Sequence, residues 1–104
     1  MPKAYFMVRA VVEERLREKF DDWYSRHHLP MALNEFEAEK CWRFWSTAEV
    51  GVHYAVYRFP DMARLDAALQ SDGFRMLVKD FDHAWPSGVT RTRDKVTMVE
   101  ERTG

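Results

Sequence analysis

The sequence predicts an α+β fold in which two strand–helix–strand halves share one antiparallel sheet. Three observations predict it. Segments rich in β-branched and aromatic residues alternate with segments whose apolar residues recur every three to four positions. The order of the two kinds along the chain is strand, helix, strand, strand, helix, strand. The middle two strands are joined by a short connection, "AEVG" (48–51), too brief for anything but a hairpin.

Each element has its own justification. "AYFMVRAVV" (Ala4 to Val12) is a β-branched and aromatic run and reads as the first strand. In "EERLREKFDDWYSRHH" the period changes: Leu16, Phe20, Trp23, Tyr24 and His27 form one helical stripe, with charges on the other side. Pro30 ends that helix or starts a short second one, because the residue before a proline avoids the α region. "KCWRFWST" and "VHYAVYRF" are the hairpin strands, with Gly51 as the turn residue. In "PDMARLDAALQS", Asp61 caps a helix that carries Met62, Leu65 and Leu69 on one face. "SDG" interrupts it before a second stripe of Phe74, Leu77, Val78, Phe81 and Trp85. "PSG" breaks the chain, and "VTRTRDKVTMVEE" closes as the last strand. The result is a ferredoxin-like β-α-β-β-α-β fold with a four-stranded antiparallel sheet, expected to occupy residues 1–104 as a single domain.

A half-buried strand alternates apolar and polar residues, yet these strands are apolar at both parities. Phe6, Val8 and Ala10 oppose Tyr5, Met7 and Val11; Trp42 and Phe44 oppose Cys41 and Trp45; Val52, Tyr54 and Val56 oppose Ala55, Tyr57 and Phe59. Helices cover one face of such a sheet. The other would be an exposed patch larger than monomers tolerate, and a second copy of the same sheet is the simplest cover. The expectation is a homodimer, two sheets face to face in a dimeric α+β barrel.

Composition narrows the function classes. The chain has 16 basic and 17 acidic residues, a formal charge of -1, so it lacks the basic excess that draws nucleic acid over long range. One cysteine, Cys41, excludes an internal disulfide and makes a cytoplasmic setting the expectation. No apolar run reaches membrane-spanning length, and the start has no secretory leader pattern. No glycine-rich phosphate loop, nucleophile elbow or nucleotide fingerprint occurs, and no cofactor is implied.

The stretch "FDDWYSRHHLP" resembles the F-x-x-W-Y-x-x-x-H-L-P signature at the end of the first helix in dimeric α+β barrel proteins. These are the EthD-like proteins and uncharacterised relatives of the small antibiotic-biosynthesis monooxygenases. The closing "TRTRDKVTMVEE" after a helix-end tryptophan is similar to the last part of those proteins. The resemblance implies the fold, a dimer and an enclosed small ligand. It places the family's histidine on His28, with His27 standing where relatives often carry an acid. The reaction is open, since this superfold hosts oxygenases, isomerases, cyclases and decarboxylases.

Read from the residues, an ideal helix puts His27 in the apolar stripe and His28 about 100° away, at its rim. His27 is then expected to pack against the sheet and His28 to stand at a pocket mouth. There it could take a proton as a general base, or simply bond the helix-end carbonyls. Adjacent histidines diverge on a helix and no H-x-x-x-H spacing exists, so no metal site is read. Candidate ligand-lining residues are Tyr24 on the same helix, Arg43 among the aromatics of the second strand, His53 and Tyr57 at one parity of the third, and Trp85 after the last helix. Arg43 offers a cation for a carboxylate or phenolate, against the alternative of pairing with Glu39 or stacking on Trp45. Arg91, Arg93 and Lys95 alternate on the last strand, the pattern of a solvated face. The functional expectation is a cofactor-free enzyme of the oxygenase, isomerase or cyclase type acting on a small apolar or aromatic molecule between sheet and helices. A non-catalytic ligand-binding or structural dimer is the alternative.

Overall fold

The computed structural model describes residues 1–104. Strand β1 (Ala4–Val12) leads through a 3₁₀ turn at Glu14–Leu16 into α1 (Arg17–Trp23), a π-helical turn (Tyr24–His28) and α2 (Leu29–Phe36). The hairpin β2 (Lys40–Trp45) and β3 (Val52–Phe59) follows, then α3 (Met62–Leu69), α4 (Asp72–Ala84) and β4 (Val89–Thr97). The sheet order is β2-β3-β1-β4, with every neighbouring pair antiparallel. This is the ferredoxin-like α+β arrangement the periodicities predict. No helix is long and apolar enough to cross a membrane.

Side-chain oxygens start both helices after β3: Asp61 accepts from the amide of Arg64 at 2.8 Å, and Ser71 from that of Phe74 at 3.2 Å. Gly51 closes the β2–β3 turn at φ 86°, and a Cβ there would lie 2.5 Å from the Arg17 guanidinium. That guanidinium is held in place by donating from Nε to the Val12 carbonyl at 3.0 Å.

Register sets what faces the helices. Three cross-sheet rows do so: Arg91–Ala10–His53–Trp45, Arg93–Val8–Ala55–Arg43 and Lys95–Phe6–Tyr57–Cys41. Phe6, Ala10, Ala55 and Tyr57 are almost wholly buried there. The opposite parity carries Tyr5, Met7, Val11, Trp42, Phe44, Tyr54 and Val56 and has no helix over it. In the single chain Phe44 is 52% exposed and Val11 42%.

Pro30 stands at the start of the short second helix α2, as one of the two readings of the sequence has it. That helix runs on from α1 through the π-helical turn without a break in the helical backbone. A proline inside a helix lacks the amide hydrogen and its ring collides with the carbonyl four residues back. The π-helical turn immediately before it loosens that spacing, with the Leu29 amide donating to the Tyr24 carbonyl five residues earlier. The wide turn also resets the helix phase. Phe20, Tyr24, His28, Ala32 and Phe36 are all buried at a strict spacing of four. An ideal helix would rotate that series by about 40° per step out of the core. The consequence corrects the reading of the two histidines: His28 turns inward and is 6% exposed, while the His27 side chain is 50% exposed.

Candidate functional site

His28 is delivered by the π-helical turn to the space between α2, α4 and the sheet. Trp23, one helical turn earlier, lies flat against it, with ring centroids 4.6 Å apart and planes 17° from parallel. Asp80 on α4 fixes its orientation: Nδ1 of His28 lies 3.1 Å from Oδ2, and Nε2 of His27 lies 3.0 Å from Oδ1. One carboxylate thus bridges both imidazoles. Partial burial works against ionising Asp80, but the two imidazole hydrogen bonds outweigh it and hold its pKa below the usual carboxylate range. An ionised Asp80 can only accept, so Nδ1 of His28 carries the proton and donates. Burial lowers the pKa of His28, and the Asp80 bond only partly offsets this. The ring is therefore neutral at physiological pH, and Nε2 keeps its lone pair with no protein partner. Such a ring can accept a proton from a group placed in the cleft.

His28 lines a cleft walled by Phe6, Val8, Phe36, Phe74, Leu77 and Phe81. The cleft is slender and open at its mouth, with an interior volume of about 30 Å³. The remaining polar groups on its surface are Tyr24, Tyr57, Arg91 and Arg93. The two tyrosine hydroxyls, from helix and sheet, lie close enough to influence each other's ionisation. Burial pushes the Tyr24 hydroxyl up to about 12 and that of Tyr57 well above its ordinary value, so both stay protonated. Arg91 and Arg93 point to the helix side of β4 because they pair across the sheet with Ala10 and Val8. Arg91 is half-buried there, while Arg93 and Lys95 stay exposed, as the alternation of this stripe suggests. The Arg91 guanidinium sits 4.0 Å from the Phe81 ring centroid and Arg93 5.4 Å from that of Phe74.

The other sequence candidates lie outside the cleft lining. His53 is buried on the far side of Tyr24, ring centroids 4.7 Å apart, and accepts at Nε2 from Nε of Arg43 at 3.2 Å. Arg43 also donates to Asp21, which takes the Trp45 indole N–H at 2.7 Å. Burial, aided by the Arg43 charge, brings the His53 pKa down to about 4. Arg43 is thus engaged with protein groups, though with Asp21 and His53 rather than Glu39. Trp85 packs edge-on against Trp23 at 5.6 Å, and its indole N–H is buried without a partner. Three of the six sequence candidates, His28, Tyr24 and Tyr57, meet around one space.

Asp80 escaped the sequence reading, and Arg91 and Arg93 entered it only as a solvated face. Asp80 had a faint signal: it stands three residues after Leu77 and beside Phe81, on the border of the α4 stripe. The arginines had none, because their face depends on strand register. No group of three His, Cys, Asp or Glu side chains comes together in a way that could hold a metal ion.

No protein-family model and no curated protein matches the chain by sequence. Solved structures do match by fold. A variant of SnoaB, a cofactor-independent oxygenase from Streptomyces nogalater, superposes with a TM-score of 0.70 at 14% identity, covering 95% of both chains. A protein of the EthD family from Bacillus halodurans gives 0.67 at 14% identity, over 88% of this chain and 96% of its own. A dimeric ferredoxin-like protein from an uncultured marine organism gives 0.67 at 18% identity, over 98% and 100%. At these identities the likeness establishes the shared fold.

Proposed function

We propose that this protein is a cofactor-free proton-transfer enzyme acting on a small, flat, apolar or aromatic molecule held in the cleft between sheet and helices. The observation that carries the reading is the Asp80–His28 pair opening on that cleft: a buried neutral imidazole whose one nitrogen is anchored and whose other is free. Nε2 takes a proton from an acidic carbon or hydroxyl of the substrate. Asp80 stabilises the imidazolium that forms, and the charge left on the substrate develops on an oxygen within reach of the protonated tyrosines. The apolar walls exclude water and strengthen each of these interactions. The deprotonated substrate can then isomerise, close a ring or, with dioxygen as co-substrate, be oxygenated. The fold shared with a cofactor-independent oxygenase supports a reaction of this kind.

The same reading includes a homodimer. The uncovered sheet face bearing Trp42, Phe44, Tyr54 and Val56 supports it, as does the dimeric ferredoxin-like protein among the fold neighbours. The slenderness of the cleft favours the second reading, a dimer that binds a ligand without transforming it. The test is base-catalysed ring opening of 5-nitrobenzisoxazole, which requires only proton removal from carbon. The wild-type protein should accelerate it about 10²-fold or more over free imidazole, and His28→Gln should abolish the effect. No acceleration, with unchanged binding of the probe, would establish the non-catalytic reading instead.

A further inference from the structure

We infer that the molecule this cleft takes is an organic anion: a flat hydrophobic body carrying one carboxylate or ionised hydroxyl, seated against Arg91 and Arg93. The inference rests on the proposed cleft reading and adds a substrate class to it.

The charges facing the cleft are unbalanced. Its lining contains two guanidiniums and no carboxylate. Three cations stand on the helix side of β4, and two have acidic partners: Arg91 with Asp82 at 3.1 Å, and Lys95 with Asp66 at 2.9 Å. Arg93, between them, has none. Asp82 is a weak counterweight to Arg91, since its side chain is 64% exposed and screened by water, while that of Arg91 is 15% exposed. Arg93 is exposed at the rim of the cleft, yet partial burial of its guanidinium, and next the neighbouring Arg91, hold its pKa below the ordinary value. A negative charge beside both arginines would therefore be favourable, though screened at the rim.

The guanidiniums are also presented well for such a ligand. Phe81 and Phe74 hold them in cation–π contact, which limits their freedom without using their N–H groups. Planar forks fixed in this way suit the two oxygens of a carboxylate. Arg91 lies near enough for its charge to bear on both His28 and Tyr24. An anion seated on it would therefore stand beside the base and the two tyrosines, while its apolar body lies against the wall that Phe6, Phe36 and Phe74 form as mutually packed rings. The cleft offers a cationic substrate no carboxylate, and a neutral hydrocarbon would leave Arg93 unpaired.

Calorimetric titration of the intact protein with 1-naphthoate and with its neutral analogue 1-naphthalenemethanol tests this. Naphthoate should bind about tenfold tighter or better at low salt, the scale of one charge-assisted contact, and the gap should narrow as salt is added. Arg93→Gln should cut the ratio to below about threefold; Arg91→Gln should do the same, and if its melting curve shows that it does not fold, Arg93→Gln decides alone. Naphthoate should also inhibit ring opening of 5-nitrobenzisoxazole, placing both in one cleft. Equal affinity for the two naphthalenes would overturn the anion inference while leaving the cleft reading in place. Discrimination that survives Arg93→Gln would overturn it as well, by locating the anion elsewhere. Binding of neither compound would remove the cleft reading and this inference with it.

Discussion

The imidazole of His28 lies parallel to the indole of Trp23, 4.6 Å away, and donates from its far edge to Asp80. The stacking fixes the ring plane, and the carboxylate fixes its rotation within that plane. Together they set the direction of Nε2, which neither contact could do alone.

Trp23 also meets Phe20, Tyr24, Phe81 and Trp85 at centroid distances of 5.6 to 6.4 Å, so it joins α1 to α4. Trp23→Ala should destabilise the fold by about 3 kcal/mol, the lower range for removing a large core aromatic, since the indole is only partly buried. Urea unfolding followed by circular dichroism gives the value. A loss below about 1 kcal/mol would mean that the indole is not a packing anchor.

The two histidines should respond in opposite ways to the same replacement. His28→Gln leaves a buried amide against Trp23 and a misdirected partner for Asp80, and should cost about 1–3 kcal/mol. His27→Gln changes an exposed side chain and should stay within about 0.5 kcal/mol. Parallel denaturation curves decide the order. If His27→Gln were the more damaging, the phase set by the π-helical turn would be wrong.

Stability should fall on mild acidification. The His53 pKa is lowered from about 6.5 to about 4 in the folded protein, so between those values the unfolded chain binds the extra proton. The contribution of neutral His53 is fully present above about pH 6.5 and is lost progressively toward pH 4, for a total of about 3 kcal/mol. His28, also lowered by burial, adds to the loss in the same direction. The measurement is unfolding free energy against pH, compared with His53→Leu, whose curve should be flatter over that interval. A wild-type curve that is flat from pH 6.5 to 4.5 would contradict the buried neutral state.

The uncovered sheet face should be a dimer interface. Sedimentation should give twice the chain mass at micromolar concentration. Phe44→Glu should yield a folded monomer, since the Phe44 ring contributes little to the core of one chain at 52% exposure. A monomeric wild type would remove the argument from the second apolar face.

How far the sequence reached depends on how local each cause is. The element order, the hairpin at Gly51, the split before α4 and the two apolar faces of the sheet all follow from period and turn chemistry, which act over a few neighbouring residues. They were therefore fixed by the sequence as read. So was the helix-facing side of Tyr24 and of Tyr57, because helix spacing and strand parity are regular. What only tertiary structure decided is where regularity fails or where distant segments meet. The inward turn of His28 depends on the wide helical turn that accommodates Pro30, and one extra residue in a turn reverses the roles of adjacent side chains. Asp80 reaches His28 across 52 residues of chain, through the packing of α4 beside the first helix. Arg91 and Arg93 face the cleft only because β4 pairs with β1 in one register, and a slip of one residue would turn both into water.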